Sequence, residues 1–178
     1  IYYTINKMSE ESQARKCMVL GNGETLKDFD FKKIDTETMG ICLGFKEWEK
    51  MDWYPDYYVC VQYDELKENC KDILKMIEDD KCKSGYLLSD RFLEFCPELK
   101  ENKKVLFVED LKRQRGNPFN YLTEWDCGSC AVLFSVILGF NDIDIMGMDL
   151  KPEDDDKHLI TWEHIVFILT GYTRINNI

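Results

Sequence analysis

The stretch Ser129 to Leu138 is apolar on nearly every side and is bracketed by Asp126, a capping residue type, and Gly139, placed where a left-handed residue follows a helix. A helix with no polar face has to be covered all round, and the broadest apolar surface a short chain can offer is the middle of a sheet. The rest of the sequence supplies one. Short apolar runs at Cys17 to Leu20, Thr38 to Leu43, Tyr57 to Gln62, Tyr86 to Leu88, Lys104 to Val108 and Ile143 to Met146 read as buried strands. Helical segments at Lys46 to Met51, Glu65 to Ile77 and Arg91 to Phe95 fall between them, and Leu66, Cys70, Ile73, Leu74 and Ile77 give the second of these one apolar face. Strands alternating with helices predict an α/β chain with parallel strands.

In such sheets ligands bind where strands end, at the carboxyl edge. The first run ends in Gly21-Asn22-Gly23 and the last in Gly147-Met148-Asp149, while Tyr57 to Gln62 closes on Asp64. Glycines there let a ligand approach the backbone, and amides at the following helix start suit an anion such as a phosphate. The first loop has neither the spacing of the dinucleotide fingerprint nor the Lys-Ser/Thr of a Walker loop, which disfavours both of those nucleotide folds. Thr25 is placed to cap a short turn, and Phe29, Phe31 and Ile34 supply apolar contacts for the connection that follows.

With 178 residues, 44% hydrophobic and 13% aromatic, the chain reads as a single domain, residues 1–178, with 1–15 a flexible or peripheral extension. A net charge of −11 argues against general nucleic-acid binding, which needs clustered Lys and Arg. The one basic cluster, Lys112-Arg113-Gln114-Arg115, reads first as a solvated loop. No apolar run reaches bilayer-crossing length, and the polar stretch Ile1 to Glu11 does not read as a signal peptide. Cys17, Cys42 and Cys60 fall inside apolar runs, where cysteine acts as a small hydrophobe, so the eight cysteines read as reduced and the protein as cytoplasmic.

Cys127-Gly-Ser-Cys130 is the one C-x-x-C. A redox pair would be expected in an early βαβ unit, and a zinc site would need a second ligand pair that Cys70, Cys82 and Cys96 do not provide by spacing. Asp154, Asp155 and Asp156 form an acidic run that reads first as a solvated face. The two histidines are His158, beside that run, and His164, next to the apolar stripe of a helix at Thr161 to Leu169. His158 is the better general base, since a neutral imidazole accepts a hydroxyl proton near pH 7.

Two blocks carry a family resemblance. Val19-Leu-Gly-Asn-Gly-Glu-Thr-Leu26 resembles the opening glycine loop of the bacterial sialyltransferases of glycosyltransferase family 42. Cys127-Gly-Ser-Cys-Ala-Val-Leu133 with Leu138-Gly-Phe-Asn-Asp-Ile-Asp-Ile-Met-Gly-Met-Asp149 resembles that family's Ser-Gly and Gly-Ile-Asp block. Flagellin-modifying glycosyltransferase-like proteins and archaeal hydroxymethylpterin pyrophosphokinases share both blocks. The resemblance implies a Rossmann-like, mostly parallel sheet with helices on both faces, binding a nucleotide sugar, CMP-linked in the sialyltransferases. Gly21, Asn22, Gly23 and Thr25 would contact the nucleotide and Cys127, Gly128 and Ser129 would line the opposite wall; Asp64, Gly147 and Asp149 join this candidate site through their place at strand ends.

The reaction implied is transfer of a sugar to a glycan or other acceptor hydroxyl, with His158 as base and neither metal nor further cofactor, and it leaves room for a homo-oligomer. Under the pyrophosphokinase alternative, Asp64, Asp149 and Asp154 to Asp156 would hold Mg²⁺ on a triphosphate. A non-catalytic nucleotide-binding or interaction module is the remaining reading. Departures from the sialyltransferase pattern favour it: Leu43 falls near the family's asparagine, Glu124 near its arginine, and Cys127 replaces a serine.

Overall fold

The computed structural model describes residues 15–113 and 126–148. Six parallel strands form one sheet: β1 (Lys16–Leu20), β2 (Glu37–Ile41), β3 (Tyr57–Cys60), β4 (Gly85–Leu88), β5 (Val105–Phe107) and β6 (Asp142–Met146). Their order is β5-β4-β3-β2-β1-β6. The chain therefore lays strands in one direction as far as β5 and then returns to add β6 on the other side of β1, pairing Lys16 with Asp142 and Leu20 with Met146. The boundary between β1 and β6 is thus the topological switch point, where the connections leaving neighbouring strands diverge and open a crevice.

Helix α1 (Phe45–Lys50), α2 (Tyr63–Glu68), α3 (Cys70–Glu78), α4 (Val108–Lys112) and α5 (Cys127–Ile137) complete the regular structure among the described residues, with short 3-10 turns between. Helix α5 is the apolar segment that the sequence requires to be covered, and residues 127–135 are all buried. It lies across the sheet centre: Phe134 meets Tyr57 edge-on at 6.2 Å, and the Ser135 hydroxyl, the helix's polar atom at this depth, donates back to Ala131 O at 2.9 Å. That bond is the hydroxyl's shortest contact, and the sulfurs of Met39 on β2 and Cys17 on β1 lie at 3.6 and 3.8 Å as weaker acceptors from the sheet. Asp126 caps the helix through Oδ1, which accepts from Ser129 N at 2.8 Å, and Gly139 follows with φ 85°.

The opposite face of β2 and β3 carries α1, whose Trp48 packs edge-on to Tyr58 at 6.3 Å and sits so close to β2 that a Cβ on Gly40 would overlap the indole. Helices thus cover both faces. Alternation along β1 shows the same two-sidedness: Cys17 and Val19 belong to the α5 core, while Leu20 joins Leu26 and Phe31 in a second cluster with Phe29 and Ile34 packed against it. Arg15, last residue of the segment assigned to the N-terminal extension, is held by Glu37 at 2.9 Å and by Leu138 O at 2.8 Å, and stacks over Phe140.

Three sequence expectations are corrected in detail. The second strand stops at Ile41 and not Leu43, because Cys42 takes φ 48°, a left-handed conformation that ends a ladder. The helix read as Glu65 to Ile77 is two helices broken at Asn69, whose backbone leaves the helical region at φ −115°, ψ 19° while its side-chain amide joins its backbone N–H in donating to Glu65 O. The turn Glu24–Leu26 begins at Gly23, not at a Thr25 cap.

Candidate functional site

The glycine loops that follow β1 and β6 are in direct contact. Gly21 N donates to Met146 O at 2.8 Å and Gly23 N to Gly147 O at 2.7 Å, so the loops continue the strand pairing past the end of the sheet. A Cβ on Gly21 would overlap the Gly147 carbonyl, and one on Gly147, which has φ 70°, would overlap Leu26. The glycines are thereby needed for the approach of two backbones to each other. The expectation that the Gly21 to Thr25 amides face a phosphate narrows accordingly, since two of them are engaged by β6 carbonyls. Asn22, Glu24 and Thr25 are the exposed residues of the loop, and the Asn22 side chain lies against Gly44, at the turn after β2.

The second block arrives at the same place. Gly128 at the start of α5 lies under Met148, whose sulfur would be 3.1 Å from a Cβ at that glycine. Gly21, Gly147, Met148 and Gly128 therefore form a continuous chain of contacts, and two sequence blocks more than a hundred residues apart share one edge. Ser129 is buried, and both its amide and its hydroxyl are taken by Asp126, so its role there is to close the cap.

Farther along the same edge, the carboxyl ends of β3, β4 and β5 open onto a cleft of about 700 Å³ between residues 61–65, 89–91 and 108–109. Asp64 lines it, as does Arg91, which stacks 3.5 Å over the Tyr63 ring. Cys127 connects cleft and glycine loops: its sulfur accepts from Val61 N at 3.3 Å, while the next residue, Gly128, lies under Met148. The basic cluster read from sequence contributes Lys112 and Arg113 nearby, where they pair with Glu109 and Asp110. Asp149, the run Asp154 to Asp156, His158 and His164 lie outside the described residues.

The sequence reading missed what surrounds Cys127. No disulfide joins any of the eight cysteines, and Cys130, the other cysteine of the C-x-x-C, is a buried thiol with its pKa raised by burial. Cys127 meets Cys42 and Cys60, which sit at the ends of β2 and β3, and Glu65 on α2. The Gln62 amide oxygen takes the Cys42 thiol at 3.4 Å and approaches that of Cys127 at 3.8 Å. Burial pushes the Cys127 thiol up, but hydrogen bonds from Cys42, Cys60 and the amides of Val61 and Gln62 outweigh it and leave Cys127 well below an ordinary thiol. Hydrogen bonding to Cys127 raises Cys42 and Cys60 correspondingly. The signal available in sequence was weak: Cys42 and Cys60 each end a strand, but no short spacing links them.

No family model matches the chain, and no curated protein matches it in sequence. Solved structures do match in shape. The sialyltransferase CstII from Campylobacter jejuni in complex with the substrate analogue cytidine-5'-monophosphate superposes with a TM-score of 0.58 at 14% identity, over 89% of this chain and 76% of that one. The same enzyme in complex with CMP-3FNeuAc gives 0.56 at 13% identity, with the same coverage. The chain has a sialyltransferase-like fold. At this identity the likeness is one of architecture, and function has to be argued from the site. Among the described residues, no helix is long and apolar enough to cross a membrane.

Proposed function

We propose that the chain binds a nucleotide-activated sugar along the carboxyl edge of its sheet and transfers the sugar to an acceptor hydroxyl. The observation that carries this reading is the meeting of Gly21, Gly147 and Gly128 at the β1/β6 switch point, where the fold class places nucleotides. Asn22 and Thr25 present polar side chains at that crevice, Asp64 lines the adjoining cleft, and Asp149 follows the β6 loop in sequence. CMP is the favoured nucleotide because the structural neighbours are complexes with CMP and with CMP-3FNeuAc.

In the reaction the bond between the sugar's anomeric carbon and the phosphate oxygen breaks, and a bond from that carbon to the acceptor oxygen forms. His158 takes the proton from the acceptor hydroxyl, and the nucleotide departs with the electron pair as its phosphate. Only the polar groups of the loop, not the amides of Gly21 and Gly23, are assigned to the departing phosphate.

A thermal-shift series with CMP, UDP, GDP and ATP, each with and without Mg²⁺, tests the reading, since a ligand selective for the native state raises the melting point. The expected result is a CMP response that Mg²⁺ does not alter. A response confined to ATP with Mg²⁺ would replace it with pyrophosphoryl transfer, and no response to any nucleotide would replace it with an interaction module.

A further inference from the structure

Three thiols and a carboxylate converge at the ends of β2 and β3 and the start of α5, and nothing in a sugar-transfer reaction uses them. The sulfurs of Cys42, Cys60 and Cys127 and a carboxylate oxygen of Glu65 all lie within 4.8 Å of one another. We propose that these four residues form a binding site for a borderline-soft divalent metal ion of the zinc type.

The dimensions suit such an ion. A tetrahedral centre with metal–sulfur bonds of about 2.3 Å sets neighbouring sulfurs about 3.8 Å apart, so the four groups need only small rotamer adjustments to close on it. The donor set selects the metal: three thiolates exclude Mg²⁺ and Ca²⁺, which take oxygen, and favour zinc or its chemical analogues.

Glu65 supplies an independent observation. Its Oε2 is buried with no hydrogen-bond partner, although a carboxylate oxygen withdrawn from water is costly unless something positive or protic meets it. A cation bound between the sulfurs would meet it. Pairing two of the thiols as a disulfide would leave both the third thiol and this oxygen unaccounted for.

The surroundings are those of a ligand shell. Cys42, Cys60 and Cys127 are 5%, 0% and 2% exposed, so water does not compete. The Val61 amide donates to the Cys127 sulfur at 3.3 Å, the bond a metal-bound thiolate accepts; the Gln62 amide oxygen now takes the Cys42 and Cys127 thiol hydrogens and would turn its NH2 to the sulfurs once those protons leave. Cys42 is turned inward by its left-handed backbone, which the buried Tyr58 hydroxyl fixes by donating to Cys42 O at 2.8 Å. Such outer contacts orient metal ligands and tune their affinity. Because the ligands come from the turn after β2 and from β3, α2 and α5, the ion would tie together four elements at the edge where the cleft opens. Four protein ligands leave no open position, which makes the site structural. It departs from the metal-free expectation drawn from the sequence resemblance, and it stands independently of the sugar-transfer reading.

The test is titration of the reduced, metal-stripped full chain with Co²⁺ and Zn²⁺. The expected result is one equivalent bound, thiolate-to-cobalt charge-transfer absorption with visible bands of tetrahedral type, bleaching when Zn²⁺ is added, and a melting point raised by Zn²⁺. C60S and C127S should abolish the charge-transfer bands, and C82S, outside the cluster, should leave them intact. Glu65→Gln preserves volume and so tests the site even if the cysteine variants fail to fold: it should weaken Zn²⁺ at least tenfold. Absence of cobalt–thiolate absorption in the reduced chain, or a Cys60–Cys127 disulfide in its place by peptide mapping, would overturn the proposal.

Discussion

The carbonyl oxygen of Gly147 occupies the space where Gly21 would carry a side chain. Two loops that end neighbouring parallel strands are thereby pressed backbone to backbone, and the geometry tolerates nothing larger than hydrogen at position 21. Gly21→Ala should cost on the order of 2 to 3 kcal/mol, the usual scale for forcing a methyl into a packed site. Asn22→Ala, at the exposed apex of the same loop, should stay within about 1 kcal/mol of the parent while weakening nucleotide binding. Urea denaturation together with nucleotide titration separates the two, and equal stability losses would refute the distinction.

Helix α5 begins on a single side chain, because the Asp126 carboxylate takes both the amide and the hydroxyl of Ser129. Asp126→Ala should destabilise by about 1 to 2 kcal/mol, the loss expected for an N-cap, and Asp126→Asn should recover most of it. The check is the urea midpoint of each variant at neutral pH.

Burial pushes Cys17 up to about 11 and Cys82 up to about 12, from an ordinary value of 9.0. Above pH 9 the unfolded chain releases protons that the folded chain keeps. The stability tied to these thiols is therefore complete below pH 9 and disappears as the pH climbs through 11 and 12. Urea midpoints at pH 8, 10 and 11 should fall steadily, and the paired change Cys17→Ala with Cys82→Ala should flatten the decline. A decline of the same slope in the double variant would show that other groups are responsible.

If His158 accepts the acceptor's proton, His158→Ala should reduce transfer by about a hundredfold or more while leaving the nucleotide-induced melting shift unchanged. Product formation from a CMP-sugar, followed beside thermal shift, checks both halves. Full activity in the variant would remove His158 from the reaction.

The elements that sequence disclosed are those enforced by one strong local term. An apolar helix with an acidic cap and a terminal glycine was legible because its burial, cap and stop all agree, and Asp126 and Gly139 act as their residue types require. Strand ends were legible where glycine marks them. What escaped was three-dimensional coincidence: Cys42 ends its strand early through a backbone angle no propensity announces, and Asn69 splits a regular apolar stripe in the same way. The glycine loops were located correctly along the chain, yet the partners of their amides, Met146 and Gly147, come from a strand whose docking beside β1 is a matter of topology. The meeting of Cys42, Cys60 and Cys127 likewise follows from strand order and not from spacing.

The placement of β6 beside β1 has a consequence for how the molecule comes into being. Strands β1 to β5 can assemble as they emerge, each beside its predecessor, but the flank of β1 stays an open edge until residues 142–146 arrive to close it. The pairing of β6 with β1 is the least local in the sheet, and contacts of that kind form after local ones. The crevice therefore does not mature gradually with the domain; ribosomal synthesis has to pass Gly147 before the first loop acquires the carbonyls that hold its shape.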